Sequence, residues 1–385
     1  MDFTILKILF RNHFGAEAKN ISALPPAGSN RKYYRMGTDE GITAIGTFNP
    51  DIAENKAFLT FSSHFKKKGL PVPEVYTVSE DQKYYLQEDL GDTSLKDLLD
   101  KKRTDAGFPE EIISYYKRSL SCLIRFQFEG HEGLDYSVCI PRDNFDARSI
   151  LWDLNHFKYF FLKLSRIPYS EDLLENDFQA IATQLDRINR DNFMFRDFQS
   201  RNIMIKNNEL YFIDYQGGRK GPPQYDLASI LFEARANIPA EIRENLFSYY
   251  LSELSKRKVV NTDESAFREV YMSFALIRQL QAMGAYGLRG WIEGKPLFIQ
   301  SIGYAVKNLE WIIKESGERD KLCAGKVSRF IFRRFTHIKE SHFIVFIILR
   351  YFFNLFNSQL FYPGKKVRYV QLPVSFYRMH CITLQ

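Results

Sequence analysis

The sequence has 385 residues, of which 45% are hydrophobic and 26% are charged, and its formal net charge is +7. This composition excludes disorder over most of the chain, and the length suffices for a two-lobed enzyme with a deep cleft. The positive charge is concentrated at one end, because residues 324–385 hold ten lysines and arginines and one acid, Glu340. The preceding 323 residues carry 43 basic and 45 acidic groups, which argues against nucleic acid as a partner of residues 1–323.

Residues 1–90 predict a small β-rich lobe that begins with a short amphipathic helix. Lys7 interrupts the apolar run of residues 1–15 and no small-residue cleavage site follows, so this stretch lacks the pattern of a signal peptide. Four further segments have the length, residue content and turn-forming flanks of strands, and one has helical spacing. The strands are residues 32–36, 42–48, 74–78 and 83–87, and the helix is residues 52–68.

Residues 91–323 predict a larger, helical lobe. A helix is expected to begin after Ser94, and others are expected over residues 110–129, 145–165, 170–188, 226–234, 240–255, 263–282 and 297–314. Two apolar runs, 203–205 and 210–213, interrupt the helices and flank the pair Asn207-Asn208, which is a hairpin turn signal. The fold class predicted for the chain is therefore α+β.

Polar residues occupy both ends of this predicted hairpin. Asp197 precedes it, Asn202 follows five positions later, and Asp214 comes directly after the second strand. Phosphoryl transfer to a hydroxyl uses one carboxylate to accept the proton of the acceptor, and an amide oxygen and a second carboxylate to hold Mg²⁺ on the nucleotide phosphates. We therefore predict Asp197 as the base and Asn202 and Asp214 as metal ligands. The alternative is that Asp197 and Asn202 merely cap turns.

Several separated motifs resemble, in the same order, those of the aminoglycoside-phosphotransferase and choline-kinase superfamily. They are residues 27–35, 87–91, 195–202, 213–216 with Gly221-Pro222, and 225–229, and the resemblance extends over about residues 20–320. Within that superfamily the chain most resembles the anomeric sugar kinases that phosphorylate N-acetylmuramate and N-acetylglucosamine at C1. The resemblance implies a protein-kinase-like two-lobed fold, ATP and Mg²⁺ as cofactors, an amino sugar as acceptor and a role in cell-wall recycling.

Two positions depart from the kinase pattern. Phe195 stands where a histidine usually precedes the base by two residues. The strand at residues 42–48 contains no lysine, although most kinase-like enzymes use a lysine there to contact the phosphates and to pair with a helix glutamate. Glu54, or alternatively Glu40, would then be the glutamate left without that lysine. A nucleotide-binding pseudokinase without turnover is the alternative that the missing lysine raises.

The nucleotide is expected to bind between the two lobes. We hypothesise that Arg31 or Lys32, which follow the small residues Gly28 and Ser29, covers the phosphates in place of the missing lysine. The segment that joins the lobes contains Glu88 and Leu90, and its backbone is expected to hydrogen-bond the adenine edge. Asp226, at the start of an apolar helix, is expected to cap free N–H groups there.

The acceptor site is expected on the helical lobe. Trp152, His156 and Tyr159 share one face of a predicted helix, with Asn155 beside Trp152, and such an aromatic and amide surface suits a pyranose. The alternative is an aromatic stripe packed in the core.

Two arginines are predicted to act beside the acceptor. Arg278 could meet a lactyl carboxylate. Arg201 could balance charge in the transition state, or could form only a salt bridge to Asp197 or Asp214. An aminoglycoside- or choline-type kinase is the alternative enzyme, and it would need an acidic pocket for its cationic acceptor.

The last segment, residues 324–385, combines its basic charge with 14 aromatic residues. It is predicted to lie on an anionic membrane surface or to contact RNA, and the alternative is a tail unrelated to this fold, such as the product of a shifted reading frame. The four cysteines lie far apart without a CxxC pair, which argues against a metal knuckle or a disulfide scaffold. We expect reduced thiols and a cytoplasmic location.

Overall fold

A β-rich lobe and a larger helical lobe make up the described chain. The computed structural model describes residues 3–25, 31–104, 107–167, 169–257 and 263–320. The predicted tail at residues 324–385 and the residues Gly28 and Ser29 therefore lie outside the described residues. Within the described segments, every helix is too short or too polar to span a bilayer. The α+β class predicted from the sequence is confirmed.

The first lobe is a five-stranded antiparallel sheet with two helices. The strand order is β1-β2-β3-β5-β4. The strands are β1 (Asn20–Ala23), β2 (Lys32–Gly37), β3 (Thr43–Phe48), β4 (Val75–Val78) and β5 (Tyr84–Glu88), and the helices are α1 (Thr4–Phe14) and α2 (Ile52–Lys67). The predicted helices and four predicted strands are confirmed, whereas β1 was not predicted. It is a short, mostly exposed edge strand, so its residues carry no buried alternation that a pattern could reveal.

The second lobe is built from nine helices within the described segments. They are α3 (Leu95–Lys102), α4 (Glu110–Phe128), α5 (Ala147–Phe157), the single turn α6 (Lys163–Ser165), α7 (Glu171–Leu185), α8 (Pro223–Leu231), α9 (Ala240–Arg257), α10 (Glu264–Tyr286) and α11 (Pro296–Asp320). The helix start predicted after Ser94 is confirmed, and it has a capping box, since the Ser94 hydroxyl accepts from the Asp97 backbone N–H and the Asp97 carboxylate accepts from the Ser94 N–H. The predicted helix at 226–234 begins three residues earlier, with prolines at its first turn.

Two π-helical turns interrupt the helices beside the predicted acceptor residues. The first, Lys158–Leu162, follows α5, and the second, Gly287–Ile292, follows α10. They pack so closely that a Cβ on Gly287 would lie 1.8 Å from the backbone oxygen of Phe160. The helix predicted over residues 145–165 is confirmed from Ala147 to Ser165, except that its turn at Lys158–Leu162 is π-helical instead of α-helical, where the Phe160 backbone meets Gly287.

Residues 195–202 contain the predicted base and are called the catalytic segment below; they lie between short strands and a β-hairpin. Strand β6 (Phe193–Met194) pairs with β9 (Arg219–Lys220), and β7 (Ile203–Lys206) pairs with β8 (Glu209–Phe212). Asn207 and Asn208 have φ of 51° and 64°, which is the backbone of the predicted two-residue hairpin turn. The hairpin also contacts the segments that join the lobes, because the Ile205 N–H donates to the Thr93 oxygen at 2.8 Å.

Helix α2 joins the β-rich lobe to the catalytic segment through aromatic packing. Phe58 stacks on Tyr215 with ring centroids 5.5 Å apart, and Phe65 meets both Phe193 and Tyr215 edge-on. The Ser62 and Tyr215 hydroxyls are hydrogen-bonded at 2.6 Å in a buried position. Because these rings belong to one continuous core, the residues before and after the hairpin are held at a fixed distance from α2.

The close approach at Gly287 leads to a stability prediction. Gly287→Ala should lower the free energy of unfolding by about 3 kcal/mol, because the added methyl collides with a backbone carbonyl that cannot rotate away. Urea denaturation measures the change. Gly217→Ala is the matched control, since nothing lies within 4 Å of the methyl it would add. Equal losses in the two variants would contradict the prediction.

Candidate active site

The three residues predicted at the hairpin ends meet through one amide. The Nδ2 of Asn202 donates to the backbone oxygen of Asp197 at 2.8 Å and to Oδ2 of Asp214 at 3.3 Å. Asn202 is buried at the end of the short turn Ser200–Asn202, directly before β7, and Asp214 lies two residues after β8. The side chain of Asp197 remains 41% exposed. The carboxylates of Asp197 and Asp214 are therefore both open to solvent.

Two non-glycine residues of this site have left-handed backbone conformations. The φ angle is 79° at Arg196 and 68° at Asp214. Such conformations cost about 1–3 kcal/mol each and persist only where the surroundings impose them. The strain therefore lies immediately before Asp197 and at Asp214 itself.

Asp226 holds the catalytic segment by its main chain. Its carboxylate accepts from the N–H of Phe195 at 2.6 Å and from the N–H of Arg196 at 2.9 Å. Burial raises the pKa of Asp226 to about 7, although the two N–H donors favour the ionised form. The prediction that Asp226 caps its own helix is wrong, since α8 has no side-chain cap and begins after Pro222. The carboxylate points across to the preceding segment instead.

Asp214 is exposed to solvent, and its carboxylate has the properties of a cation ligand. Desolvation by the surrounding protein first, and then the negative charge of Asp197, raise the pKa of Asp214, while a hydrogen bond from Gln216 at 2.8 Å and the charges of Arg31 and Arg201 act in the opposite direction. No salt bridge neutralises Asp214 among the described residues. Carboxylate and amide oxygens are ligands that Mg²⁺ prefers, and Mg²⁺ is commonly held by one or two carboxylates together with substrate phosphates. Asp214 and Asn202 therefore fit a magnesium ion.

Arginines approach Asp197 and its surroundings from the helical lobe. The buried Arg278 of α10 donates from Nη2 to Oδ1 of Asp197 at 3.3 Å and from Nε to the Ser229 hydroxyl at 3.1 Å. Arg201 is exposed, and in the described part of the chain it forms no ion pair, so the alternative of a plain salt bridge from Arg201 to Asp197 or Asp214 is not formed. The charge-balancing role of Arg201 stays a prediction. Arg278 is thus the cation in contact with the predicted base.

An arginine is paired with the helix glutamate that would pair with the strand lysine in most kinase-like enzymes. Arg31 is buried, its Nη2 lies 3.2 Å from Oε1 of Glu54 in the first turn of α2, and its guanidinium lies 5.5 Å from the Phe58 ring. Gln216 donates to both Glu54 and Asp214, at 3.4 and 2.8 Å. Lys32, the other candidate, is exposed at the start of β2, and Glu40 is exposed in the turn that follows β2. Arg31 alone of the two cations meets the helix glutamate.

The segment that joins the lobes is fixed by two cations that the sequence analysis did not select. Lys206 of β7 pairs with Oε1 of Glu88 at 2.9 Å and also donates to the Asp89 backbone oxygen at 2.9 Å. Arg35 of β2 pairs with the Asp89 carboxylate at 2.7 Å. Leu90 is buried beside this network. The predicted adenine contacts of Glu88 and Leu90 stay predictions.

The predicted acceptor residues lie on α5 and on the π-helical turn that follows it, and two of their aromatic side chains are exposed. Trp152 is 43% exposed and Tyr159 is also exposed, so the alternative of a buried stripe is wrong. Asn155 and His156 are half-buried, and His156 lies against Gly284 of α10, where desolvation lowers the pKa of its imidazole. Among the described residues, neither Trp152 nor Asn155 makes a hydrogen bond or ring contact to Asp197. The acceptor roles of Trp152, Asn155 and His156 stay predictions.

Sequence reasoning missed Asp153, which is the residue of α5 that does reach the catalytic segment. Its carboxylate pairs with the Arg196 guanidinium at 2.5 and 2.8 Å. The helix pattern could only have indicated Asp153 as an acid on the buried face of α5. Its partner depends on a tertiary contact across 43 residues of sequence.

Comparison with known families agrees with this geometry. Residues 129–260 match the family model described as a phosphotransferase enzyme family. The matched span contains Asp197, Asn202 and Asp214 and covers less than half of the chain. No curated protein matches the sequence.

Two solved kinase structures share the architecture. An ethanolamine kinase from Plasmodium vivax is 13% identical, with 76% of this chain and 82% of that chain covered at a TM-score of 0.51. A choline kinase from Cryptosporidium parvum Iowa II is 10% identical, with 86% of this chain and 100% of that chain covered at a TM-score of 0.57. At such identities the likeness concerns the fold alone. It confirms the protein-kinase-like two-lobed fold that the resemblance implied.

The raised pKa of Asp214 predicts that replacing this residue with asparagine changes the thermal stability of the protein in a pH-dependent way. A carboxyl group whose pKa is raised on folding contributes most to stability when protonated, and this contribution is lost as the pH rises through the raised pKa. Without added metal, Asp214→Asn should therefore unfold at a higher temperature than the wild type at pH 8, and the difference should shrink towards pH 4. Thermal denaturation across this range measures it, with the exposed Asp39→Asn as control. A difference in unfolding temperature that does not depend on pH would contradict the raised pKa of Asp214.

Proposed function

We propose that this protein is an ATP- and Mg²⁺-dependent small-molecule kinase whose acceptor is a sugar hydroxyl. The anomeric hydroxyl of N-acetylmuramate or N-acetylglucosamine is the proposed acceptor position. The observation that carries this proposal is the joining of Asp197, Asn202 and Asp214 by one amide at the mouth of a hairpin, inside the span that matches a phosphotransferase family. The fold shared with two kinases supports it.

Asp197 is the proposed base. Its side chain is 41% exposed, so a hydroxyl can approach it from solvent and transfer its proton to a carboxylate oxygen. An anomeric hydroxyl is more acidic than an ordinary alcohol, which suits a carboxylate base. Asn202 and Asp214 are proposed to hold Mg²⁺, which would neutralise the charge that develops on the transferred phosphoryl group. Arg278 fixes the orientation of the Asp197 carboxylate in the absence of substrate.

Arg31 is the proposed phosphate-binding cation. The Arg31–Glu54 pair combines a cation and a helix glutamate in the way the strand lysine and its glutamate do in kinases, and the charge of Arg31 acts on Asp214. The cation reaches this position from the residue before β2 instead of from β3. This arrangement favours a catalytic protein over a nucleotide-binding module without turnover.

The charges beside the base favour an acceptor that carries a carboxylate. Arg278 contacts Asp197, and Arg201 is an exposed cation four residues further along the chain. A cationic acceptor would meet these positive charges, whereas the lactyl carboxylate of N-acetylmuramate could pair with one of them. A choline- or aminoglycoside-type kinase is the second candidate, and it is favoured by the fold shared with the choline kinase from Cryptosporidium parvum.

ADP release from a panel of acceptors tests the proposed function. N-acetylmuramate should be used with a higher kcat/KM than N-acetylglucosamine, because only the former carries the carboxylate, and both should exceed choline, ethanolamine and kanamycin. Asp197→Asn should lower kcat by about 10²–10⁴-fold through loss of the base. The surface variant Asp191→Asn, close in sequence, is the control. Release with a cationic acceptor only would select the second candidate, and release with none would favour a module without turnover.

The phosphate-binding role of Arg31 has its own test. Arg31→Met keeps an apolar side chain over Phe58 but removes the charge, so the KM for ATP should rise at least about tenfold, which corresponds to the loss of a hydrogen bond to a charged group. Lys32→Met, the exposed neighbour, should leave this KM unchanged. A KM for ATP that is the same in wild type and Arg31→Met would exclude the role.

A further inference from the structure

We propose that Asp153 and Arg196 are positioning residues for the base, and that their buried ion pair holds the strained backbone that aims Asp197 into the cleft. The inference rests on the proposed function, since it assigns a task to residues that do not touch the reacting groups. It also gives α5 a second task, because Asp153 follows directly after Trp152 on the predicted acceptor helix.

The Asp153–Arg196 contact has the geometry of a strong ion pair. Nη1 of Arg196 lies 2.8 Å from Oδ2 of Asp153, and Nη2 lies 2.5 Å from Oδ1, so both carboxylate oxygens are engaged by the planar guanidinium. The side chains of Arg196 and Asp153 are only 17% and 7% exposed. The Tyr225 hydroxyl accepts a further bond from Nη1 at 2.9 Å.

The surroundings keep Arg196 charged. Burial alone would lower the pKa of its guanidinium, but the carboxylate of Asp153 outweighs burial and the pKa lies above its usual value. The rings of Phe145 and Tyr225 lie 5.2 and 5.3 Å from the guanidinium carbon, within the range of cation–π attraction. Removal of either partner would leave an unpaired charge in a buried position.

The anchored side chain belongs to the residue whose backbone is strained. Arg196 has a φ of 79°, a conformation that glycine adopts readily and that other residues adopt only when constrained. Two contacts constrain it, one from Asp226 to its backbone N–H and one from Asp153 to its side chain. Asp197 is the next residue, so a change of the φ angle at residue 196 would turn the carboxylate of Asp197 away from Arg278.

The ion pair therefore maintains a backbone conformation that glycine would adopt without any ion pair. If the task of the ion pair is to maintain the left-handed backbone, Arg196→Gly should keep a higher kcat than Arg196→Ala. Glycine needs no external constraint to keep a positive φ. If the ion pair served only stability, Arg196→Gly would have a kcat equal to or lower than that of Arg196→Ala. Both variants lose the same contacts, and glycine also adds chain entropy to the unfolded state.

Steady-state kinetics on the full chain tests the inference. Asp153→Asn and Arg196→Ala should lower kcat by about 10–100-fold through misplacement of the base, with the KM for ATP changed less than about twofold. Arg196→Gly should retain a kcat at least about fivefold above that of Arg196→Ala. Glu244→Gln, which breaks the remote ion pair with Arg268, is the control and should affect only the unfolding temperature.

Two results would overturn the inference. One is an unchanged kcat in Asp153→Asn, and the other is a kcat in Arg196→Gly that is no higher than in Arg196→Ala. A crystal structure of Asp153→Asn gives a readout without turnover, since residue 196 should leave the left-handed region, and its persistence there would also refute the inference. If the wild type released no ADP with any acceptor, the proposed function would fail, and this crystal structure would still decide the role of the pair.

Discussion

The amide of Asn202 is the contact on which the candidate site depends. One NH₂ group can donate two hydrogen bonds, and here both are used, one on the backbone of Asp197 and one on the carboxylate of Asp214. Without this bridge the negative charges of Asp197 and Asp214 would favour separation of their segments. The position of the amide follows from the hairpin, because Asn202 directly precedes β7 and the tight Asn207-Asn208 turn brings the chain back to Asp214.

Around this bridge, three arginines, whose side chains are at most 17% exposed, are each paired with a carboxylate. Arg31 meets Glu54, Arg196 meets Asp153, and Arg278 meets Asp197. Asp214 differs from the acids of these pairs, since its oxygens accept only from the neutral amides of Asn202 and Gln216 among the described residues. A guanidinium can satisfy two oxygens at once and stays charged when buried, which lysine does less readily. The uncompensated charge of the site is thus confined to the position predicted for a metal ion.

Much of the fold could be predicted because its elements have strong local patterns. The helix of residues 52–68, the helix start after Ser94 and the Asn207-Asn208 turn each carry their signal within a few residues. The prediction was incomplete where packing decides. The edge strand β1 lacks a buried face, and no local pattern marks the π-helical turn at Lys158–Leu162, where the Phe160 backbone meets Gly287. Asp226 was assigned to its own helix although its carboxylate serves the chain 30 residues earlier.

The sequence by itself determined which residues are the candidates for the chemistry, because the spacing of Asp197, Asn202 and Asp214 around a hairpin is a local property. It also reduced the search for the missing lysine to two neighbouring cations. Only the tertiary structure decided between them, since the choice depends on which side chain turns under the sheet to meet Glu54. The same holds for Asp153 and for the positive φ of Arg196, because ion pairs between distant segments and the backbone strain they maintain leave no periodic trace in a sequence.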